Sequence, residues 1–169
     1  MPKTNINSRA IFDELLTVLQ TACGKHYGNR LISLAVFGSV GRGAMRPDSD
    51  IDLLIVAAPL PTGRIARVQD FAPARNELET AIISARTRGV QTRCSPIFKT
   101  PAEIIAHSPI ILDMTEDARI LYDRDGFLNN QLAGLRAHLK ALGARRIWKG
   151  EFWWWDLKPN YKQGEVFAI

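Results

Sequence analysis

Hydrophobic residues recur at two different spacings along the first part of the chain. From Ser8 to about Tyr27 they fall every three or four positions, which predicts an amphipathic helix. Nearly continuous apolar runs follow from Leu31 to Phe37 and from Ile51 to Ala57, and a glycine or a proline closes each run. Short apolar runs bounded in this way are typical of buried strands. The pattern therefore predicts one helix and then two strands of a sheet.

The helical spacing returns between Arg64 and Arg88, but Pro73 interrupts it and predicts a bend or a break. The run from Val90 to Phe98 predicts a third strand, and Pro96 within that run favours an edge position or a bulge. Thr100 to Glu103 have the sequence of a capping box with proline at the first helical position. We therefore expect a short helix to begin there.

Shorter elements complete the pattern. Ser108 and Pro109 predict the start of another helical turn, and Arg119 to Tyr122 predict a last short strand. From Phe127 to Leu142 the leucine residues have helical spacing, which Gly143 ends. The order of these elements predicts a mixed α/β (α+β) fold in which helices cover a small mixed β-sheet.

The chain changes character after residue 143. We expect residues 1–143 to form one domain and residues 144–169 to form a tryptophan-rich C-terminal extension, packed on that domain or at an interface. In an extended strand Trp153 and Trp155 share one face, which favours a hairpin packed on the core. A surface for a partner or for a second copy of the chain is an alternative. Nucleic-acid binding is another, because basic residues of the segment 145–149 lie near the tryptophans.

Composition narrows the functional classes. Of the 169 residues 46% are hydrophobic and 23% are charged, and no apolar run approaches the length of a membrane span. Met1 to Ser8 lack the apolar stretch of a secretory signal, so a cytoplasmic location is expected. Cys23 and Cys94 are too far apart to form a zinc knuckle. A net charge of +5 suits a nucleotide, a nucleic acid or an acidic protein as the partner.

A glycine-rich turn follows the first predicted strand. Gly38 lets the backbone approach a ligand closely, and the free N–H groups where a helix begins bind phosphate oxygens. Ser39 adds a hydroxyl donor. Arg42 and Arg46 are candidate cationic contacts for phosphate, and solvated surface arginines are an equal alternative for both. We therefore identify this turn as one half of a candidate nucleotide site.

A pair of aspartates opens the second predicted strand. Because side chains two residues apart on a strand point to the same face, Asp50 and Asp52 project together while Ile51 enters the core. Two converging carboxylates repel each other, and a divalent cation between them removes that repulsion. Oxygen ligands of this kind suit magnesium, which also bridges triphosphate oxygens. The pair is the candidate metal-binding half of the same site.

The sequence Gly38-Ser39, ten further residues and then Asp50-Ile51-Asp52 resembles the signature of the DNA polymerase β nucleotidyltransferase superfamily, in particular its minimal nucleotidyltransferase branch. The resemblance implies a sheet of the nucleotidyltransferase type. It also implies that Gly38 and Ser39 hold the triphosphate of an NTP, expected to be ATP, and that Asp50 and Asp52 are catalytic and bind two magnesium ions. The metals would activate an acceptor hydroxyl and stabilise the pyrophosphate leaving group.

The strand predicted at 90–98 departs from the family's pattern. Members of the family usually carry a third carboxylate on this strand, where it completes the metal site, and here the segment contains no acid. Asp113, Glu116 and Asp117 are candidates to supply one from the following turn. Otherwise the reaction runs on two carboxylates, or the protein binds nucleotide without efficient turnover.

The leading hypothesis is an enzyme that transfers a nucleoside monophosphate, expected to be AMP, from an NTP to an acceptor hydroxyl. The minimal branch resembles antitoxins that adenylylate a small helical toxin, so a small helical protein partner is the expected source of that hydroxyl. A catalytically impaired nucleotide- or partner-binding module is the first alternative, motivated by the acid-free strand. An RNA-binding protein that uses its basic, aromatic tail is the second.

Overall fold

The computed structural model describes residues 7–106, 109–150 and 152–167. The helices are α1 (Ser8–Tyr27), α2 (Gly38–Gly41), α3 (Arg64–Asp70), α4 (Ala72–Thr87), α5 (Pro101–Ile105), α6 (Ile110–Asp117) and α7 (Phe127–Leu142). The strands are β1 (Leu31–Phe37), β2 (Ile51–Ala57), β3 (Cys94–Lys99), β4 (Arg119–Asp123), β5 (Arg145–Lys149) and β6 (Phe152–Asp156). The predicted mixed α+β class is confirmed.

Four of the strands form one mixed sheet in the order β3-β2-β1-β4. Strand β1 lies antiparallel to both β2 and β4, whereas β2 and β3 are parallel. The register of β1 with β2 pairs Phe37 with Asp52, and the register of β2 with β3 pairs Asp52 with Ser95. Because β1 ends at Phe37, the glycine turn that follows begins directly beside Asp52.

The sheet separates two hydrophobic cores, because side chains alternate between the two faces of a strand. In β2, Ile51 and Leu53 belong to the core formed with α1 and α4, and Leu54 and Val56 belong to the core formed with α6 and α7. Burial of each aliphatic side chain stabilises the fold by about 1.5–3 kcal/mol. A rotation of the strand that exposed these side chains would therefore be costly. Asp52 shares the parity of Leu54, which places its side chain on the α6–α7 side.

The helical pattern between Arg64 and Arg88 is divided, as Pro73 predicted. Helix α3 ends at Asp70 and α4 begins at Ala72, so the proline falls in the first turn of α4. At that position the missing N–H of proline removes no helical hydrogen bond. The break therefore places two helices where the periodicity alone suggested one.

The third strand is shorter than its sequence pattern predicted. It begins at Cys94 rather than Val90, because the N–H group of Arg93 donates to the carboxylate of Asp50 at 3.1 Å instead of to a strand carbonyl. The edge position predicted from Pro96 is confirmed, since β3 is the outermost strand of the sheet. The early end of pairing matters for function because it lies next to the aspartate pair.

The other boundaries follow their predicted signals. The capping box is present, with Thr100 Oγ1 accepting from the N–H of Glu103 at 3.3 Å and the Glu103 carboxylate accepting from the N–H of Thr100 at 2.7 Å. Gly143 ends α7 in the left-handed conformation, with a φ of 72°. Helix α6 begins directly after Pro109. The predicted role of Ser108 lies outside the described residues.

Strands β5 and β6 form an antiparallel hairpin that is separate from the main sheet. Trp155 packs against the core formed with α6 and α7, whereas Trp154 on the other face is 48% exposed. The alternation expected for the tryptophan run is therefore present in the hairpin. The division into a domain of residues 1–143 and an extension stays a prediction. None of the helices within the described ranges combines the length and apolar character that crossing a membrane requires.

Candidate active site

The turn after β1 leaves space for the side chain of Asp52. Gly38 has a φ of 66°, a conformation that glycine adopts without strain. A Cβ atom at position 38 would lie 2.5 Å from Asp52 Oδ2, closer than real Cβ contacts come. Position 38 thus requires glycine both for its backbone angle and for the approach of the carboxylate. Ser39 follows in α2 and is partly buried.

The two aspartates at the start of β2 influence each other electrostatically. Asp52 is partly buried and Asp50 is exposed. Burial raises the pKa of Asp52, the negative charge of Asp50 raises it further, and the positive charge of Arg42 opposes both effects. The structure therefore brings three of the predicted site residues into one neighbourhood. A carboxyl with a raised pKa, next to a second carboxylate, is a common feature of functional sites.

The donor set suits a hard divalent cation. Magnesium prefers carboxylate, phosphate and water oxygens, and a cation beside Asp50 and Asp52 would offset the repulsion that raises the pKa of Asp52. Gly38 keeps a side chain away from Asp52 Oδ2. Across the three described ranges, no group of three or more His, Cys, Asp or Glu side chains could hold a metal. Among the described residues, Asp50 and Asp52 would thus supply two carboxylate ligands, and phosphate and water oxygens would have to complete the coordination of a magnesium ion.

Arg42, a predicted phosphate contact, has partners within the protein. Its guanidinium donates to the carboxylate of Asp117 at 2.5 Å and lies 5.9 Å from the ring centroid of Trp148. The side chain remains 33% exposed, so it can reach a ligand only by sharing or leaving Asp117. Arg46, the other predicted cation, is 71% exposed and forms an ion pair with Asp48 at 3.4 Å.

Asp117 lies at the centre of a buried ion-pair network. Its side chain is 3% exposed and accepts hydrogen bonds from Arg42 and, at 2.7 and 2.8 Å, from Arg146 in β5. Burial raises the pKa of Asp117, but the hydrogen bonds from Arg146 and Arg42 outweigh burial and hold the pKa below its ordinary value. The Arg146 guanidinium lies 4.9 Å and 4.0 Å from the ring centroids of Trp148 and Trp153. The hairpin is thereby joined to the glycine turn.

The candidate third acids have other partners. Asp117 is bound by the two arginines, and Asp113 accepts a hydrogen bond from Trp155 Nε1 at 3.0 Å. Burial raises the pKa of Asp113, and the tryptophan hydrogen bond opposes that rise. Glu116 is exposed at the cavity beside Arg42. On β3 the register partner of Asp52 is Ser95, so the residue beside the second aspartate of the pair is not an acid.

Sequence reasoning missed the network around Asp117. Its members come from the residue after α2, the end of α6 and β5, and Asp117 and Arg146 are 29 residues apart, so no local pattern links them. The only signal was indirect, since an acid at a helix end and a basic residue beside the tryptophan-rich segment both require partners if they become buried. Packing of the hairpin against α6 and α7 supplies those partners.

Comparison with known proteins identifies the family. The family model described as nucleotidyltransferase domain matches residues 17–84, which contain both the Gly38-Ser39 turn and the aspartate pair. A protein of Methanocaldococcus jannaschii named "Putative protein adenylyltransferase MJ1305" is 31% identical over 134 residues, covering 78% of this chain and 83% of the relative. Fold and motif together define a nucleotidyltransferase. The chain belongs to the nucleotidyltransferase domain family.

Two solved structures are similar to this chain. Spectinomycin adenyltransferase AAD(9) of Enterococcus faecialis, determined with ATP and spectinomycin, superposes with a TM-score of 0.55 at 13% identity, covering 78% of this chain and 66% of that chain. A toxin-antitoxin structure with AMP-PNP has a TM-score of 0.46 at 18% identity, covering 75% of this chain and 90% of that chain. The first of these confirms the predicted nucleotidyltransferase fold.

Proposed function

We propose that this nucleotidyltransferase moves AMP from ATP to a hydroxyl group on a protein acceptor. One observation carries the proposal: the glycine turn at the end of β1 lies against the carboxylate of Asp52 at the start of β2. A phosphate-binding turn and an acidic pair therefore border one space. A metal-bound triphosphate is the ligand that needs both kinds of group at once.

Each side chain of the site has a role in this proposal. Gly38 and Ser39 bind the triphosphate, and Arg42 adds a cationic contact when it turns from Asp117. Asp50 and Asp52 would hold magnesium, which supplies charge neutralisation for the triphosphate and the departing pyrophosphate. The acceptor oxygen bonds to the α-phosphorus, the bond from that phosphorus to the pyrophosphate breaks, and the hydroxyl proton is released to solvent.

The choice of AMP and of a protein acceptor is supported by the Methanocaldococcus jannaschii relative, whose name describes adenylyl transfer involving protein. We propose a small helical protein partner, of the toxin–antitoxin kind, as the acceptor, and a cytoplasmic location, where ATP is supplied. Membership of the nucleotidyltransferase family favours transfer over the two alternatives, an impaired binding module and an RNA-binding protein.

Label transfer tests the proposed activity. The protein is incubated with magnesium, host-cell lysate and ATP that is radiolabelled either at the α-phosphate or at the γ-phosphate. We expect the α-label alone to become attached to a lysate protein. Asp50→Asn and Asp52→Asn should each lower the rate about a hundredfold or more, because several kcal/mol of charge stabilisation are lost.

The matched control is Asp13→Asn, the same change at an exposed carboxylate of α1 that pairs with Arg119 at the surface. Its labelling rate should stay within about twofold of the wild type, since exposed ion pairs contribute little. Transfer of the γ-label instead would identify a kinase reaction. Tight ATP binding without any transfer would support the impaired binding module.

A further inference from the structure

A second space adjoins Asp50, and Arg42 is not among its lining residues. This space, the Asp50 cavity, has a volume of about 620 Å³. Its lining residues are Asp48, Asp50, Arg86, Gln91, Thr92 and Arg93. The residues assigned to the triphosphate, at positions 38, 39 and 42, do not line it. Asp50 therefore borders a space that the residues assigned to the triphosphate do not line.

The wall of the Asp50 cavity is fixed by hydrogen bonds across the chain. Gln91 N–H donates to the Pro47 carbonyl at 2.7 Å, and Arg93 N–H donates to the Asp50 carboxylate at 3.1 Å. Thr92 between them is buried, at 1% exposure. This segment is the one that sequence patterning assigned to β3, and its departure from the strand opens the cavity beside Asp50.

Two arginines, Arg86 and Arg93, line this space. Arg93 is exposed and forms no ion pair with any residue that the structure describes. Arg86 pairs with Glu79 at 3.7 Å, and both side chains are about half exposed, at 49% and 50%. A surface pair of this length holds its partners weakly. Both arginines are therefore available to an anionic ligand within reach of Asp50.

The composition of the cavity discriminates between anionic ligands. Proteins that bind single-stranded nucleic acid stack the bases on aromatic side chains, and none of the described residues that line the Asp50 cavity is aromatic. Trp148 and Trp155 instead line a different cavity, of about 470 Å³, together with Arg42. A peptide carboxylate needs only the paired N–H donors that an arginine provides.

We propose that the Asp50 cavity receives the acceptor, and that the acceptor is a hydroxyl-bearing peptide segment with carboxylates next to the hydroxyl, held by Arg86 and Arg93. This inference rests on the proposed function and adds the chemical class of its second substrate. The reaction has the stoichiometry of the AMP transfer proposed above. Acceptor hydroxyl and ATP give the AMP ester and pyrophosphate, and one proton is released to solvent.

Synthetic acceptors of opposite charge test the inference. The full-length protein, α-labelled ATP and magnesium are combined with a Glu–Tyr copolymer, with a Lys–Tyr copolymer or with an oligoadenylate that has a free 3′-hydroxyl. Each polymer also serves as a competitor for labelling of lysate protein. We expect the Glu–Tyr polymer to be labelled, or to compete, at least about tenfold better than the Lys–Tyr polymer, because like charges in contact are strongly disfavoured.

Charge reversal locates the effect. The double variant Arg86→Glu/Arg93→Glu should lose the preference for the Glu–Tyr polymer by about tenfold or more, with the KM for ATP unchanged within about twofold. The matched control is Arg9→Glu/Arg75→Glu, which makes the same change of charge at two exposed arginines outside the cavity. It should keep the wild-type preference.

The outcomes separate this inference from the proposed function. If the wild type transfers no label to lysate protein or to any polymer, the proposed function fails. If lysate protein is labelled but the polymers are labelled or compete equally, or not at all, the acidic acceptor alone is refuted. Preferential labelling of the oligoadenylate, or a raised KM for ATP as the only effect of the double variant, overturns it as well.

Discussion

Two acidic sites lie near the glycine turn, Asp117 and the pair of Asp50 and Asp52, and their surroundings shift the carboxyl pKa in opposite directions. Asp117 is buried and is neutralised by Arg42 and Arg146, so its pKa is held below the ordinary value. Asp52 is partly buried beside a second carboxylate, and its pKa is raised. The first arrangement is complete within the chain. In the second, the charge of Arg42 opposes the rise in pKa without cancelling it.

The contrast indicates what each group does. A buried acid with matched arginines connects elements of the fold, here α6, the turn and the hairpin. An acid pair that the fold leaves under repulsion stores unfavourable energy that a bound cation and its phosphates can relieve. The same argument explains why Arg42 is informative, because it contacts the first group and lowers the pKa within the second. Variants that alter one of the two acidic sites at a time test this comparison.

The largest stability effect is expected from Asp117→Ala. Removing this carboxylate leaves the guanidinium of Arg146, which is 9% exposed, without its anion. Breaking a buried pair in this way costs about 3 kcal/mol, which corresponds to a fall in Tm of roughly 6–12 °C for a chain of this size. Differential scanning calorimetry at neutral pH measures the shift.

The lowered pKa of Asp117 also predicts how the stability lost in Asp117→Ala depends on pH. Because the folded-state pKa of Asp117 is lowered, its stabilising contribution is present above the unfolded-state pKa and is lost as the pH falls through the folded-state pKa. The Tm difference between the wild type and Asp117→Ala should therefore shrink on acidification. A difference that is constant from neutral to acidic pH would show that lost packing, rather than the ion pairs, causes the effect.

Gly38→Ala is expected to have the next largest effect. The added methyl group must adopt a φ near 66° and would lie 2.5 Å from Asp52 Oδ2, so either the turn or the carboxylate has to move. The left-handed conformation alone costs about 1–2 kcal/mol for a residue with a side chain. Chemical denaturation should show this loss, and AMP transfer should fall far more than stability does. Gly24→Ala, on α1 where a Cβ meets nothing within 4 Å, is the matched control.

The smallest expected effect has the opposite sign. Asp52→Asn removes a charge that is disfavoured by partial burial and by the charge of Asp50, so the variant should be more stable than the wild type at neutral pH by about 0.5 kcal/mol after solvent screening. Because the folded-state pKa of Asp52 is raised, the wild type loses this disadvantage as the pH falls through the folded-state pKa, and the loss is complete below the unfolded-state pKa. Equal Tm values for the two proteins at neutral pH without magnesium would count against repulsion in the pair.

Local signals account for the parts of the structure that the sequence predicted well. The bounds of β1 and β2 follow from apolar runs closed by glycine or proline, and Gly143 marks the end of α7. The approach of the glycine turn to Asp52 follows from the motif, because the two strands that carry them are antiparallel neighbours. These features depend on residues that are close in sequence or on a spacing that specifies one pairing.

The parts that were not predicted depend on choices between distant partners. Strand β3 begins later than predicted because the N–H of Arg93 donates to the side chain of Asp50. Hydrophobic periodicity contains no information on that acceptor. The partners of Asp117 likewise come from the residue after α2 and from β5, and depend on how the hairpin packs. Such contacts decide which cations are available to a ligand, so they bear on function more than on fold class.

The central claim is that the glycine turn and the aspartate pair form one site for a metal-bound triphosphate. Isothermal titration calorimetry with magnesium and a non-hydrolysable α,β-methylene ATP tests it without an acceptor. We predict that Asp50→Asn/Asp52→Asn and Gly38→Ala each weaken binding by more than about tenfold, and that Asp13→Asn binds as the wild type does. Unchanged magnesium-dependent binding in the double aspartate variant would contradict the claim.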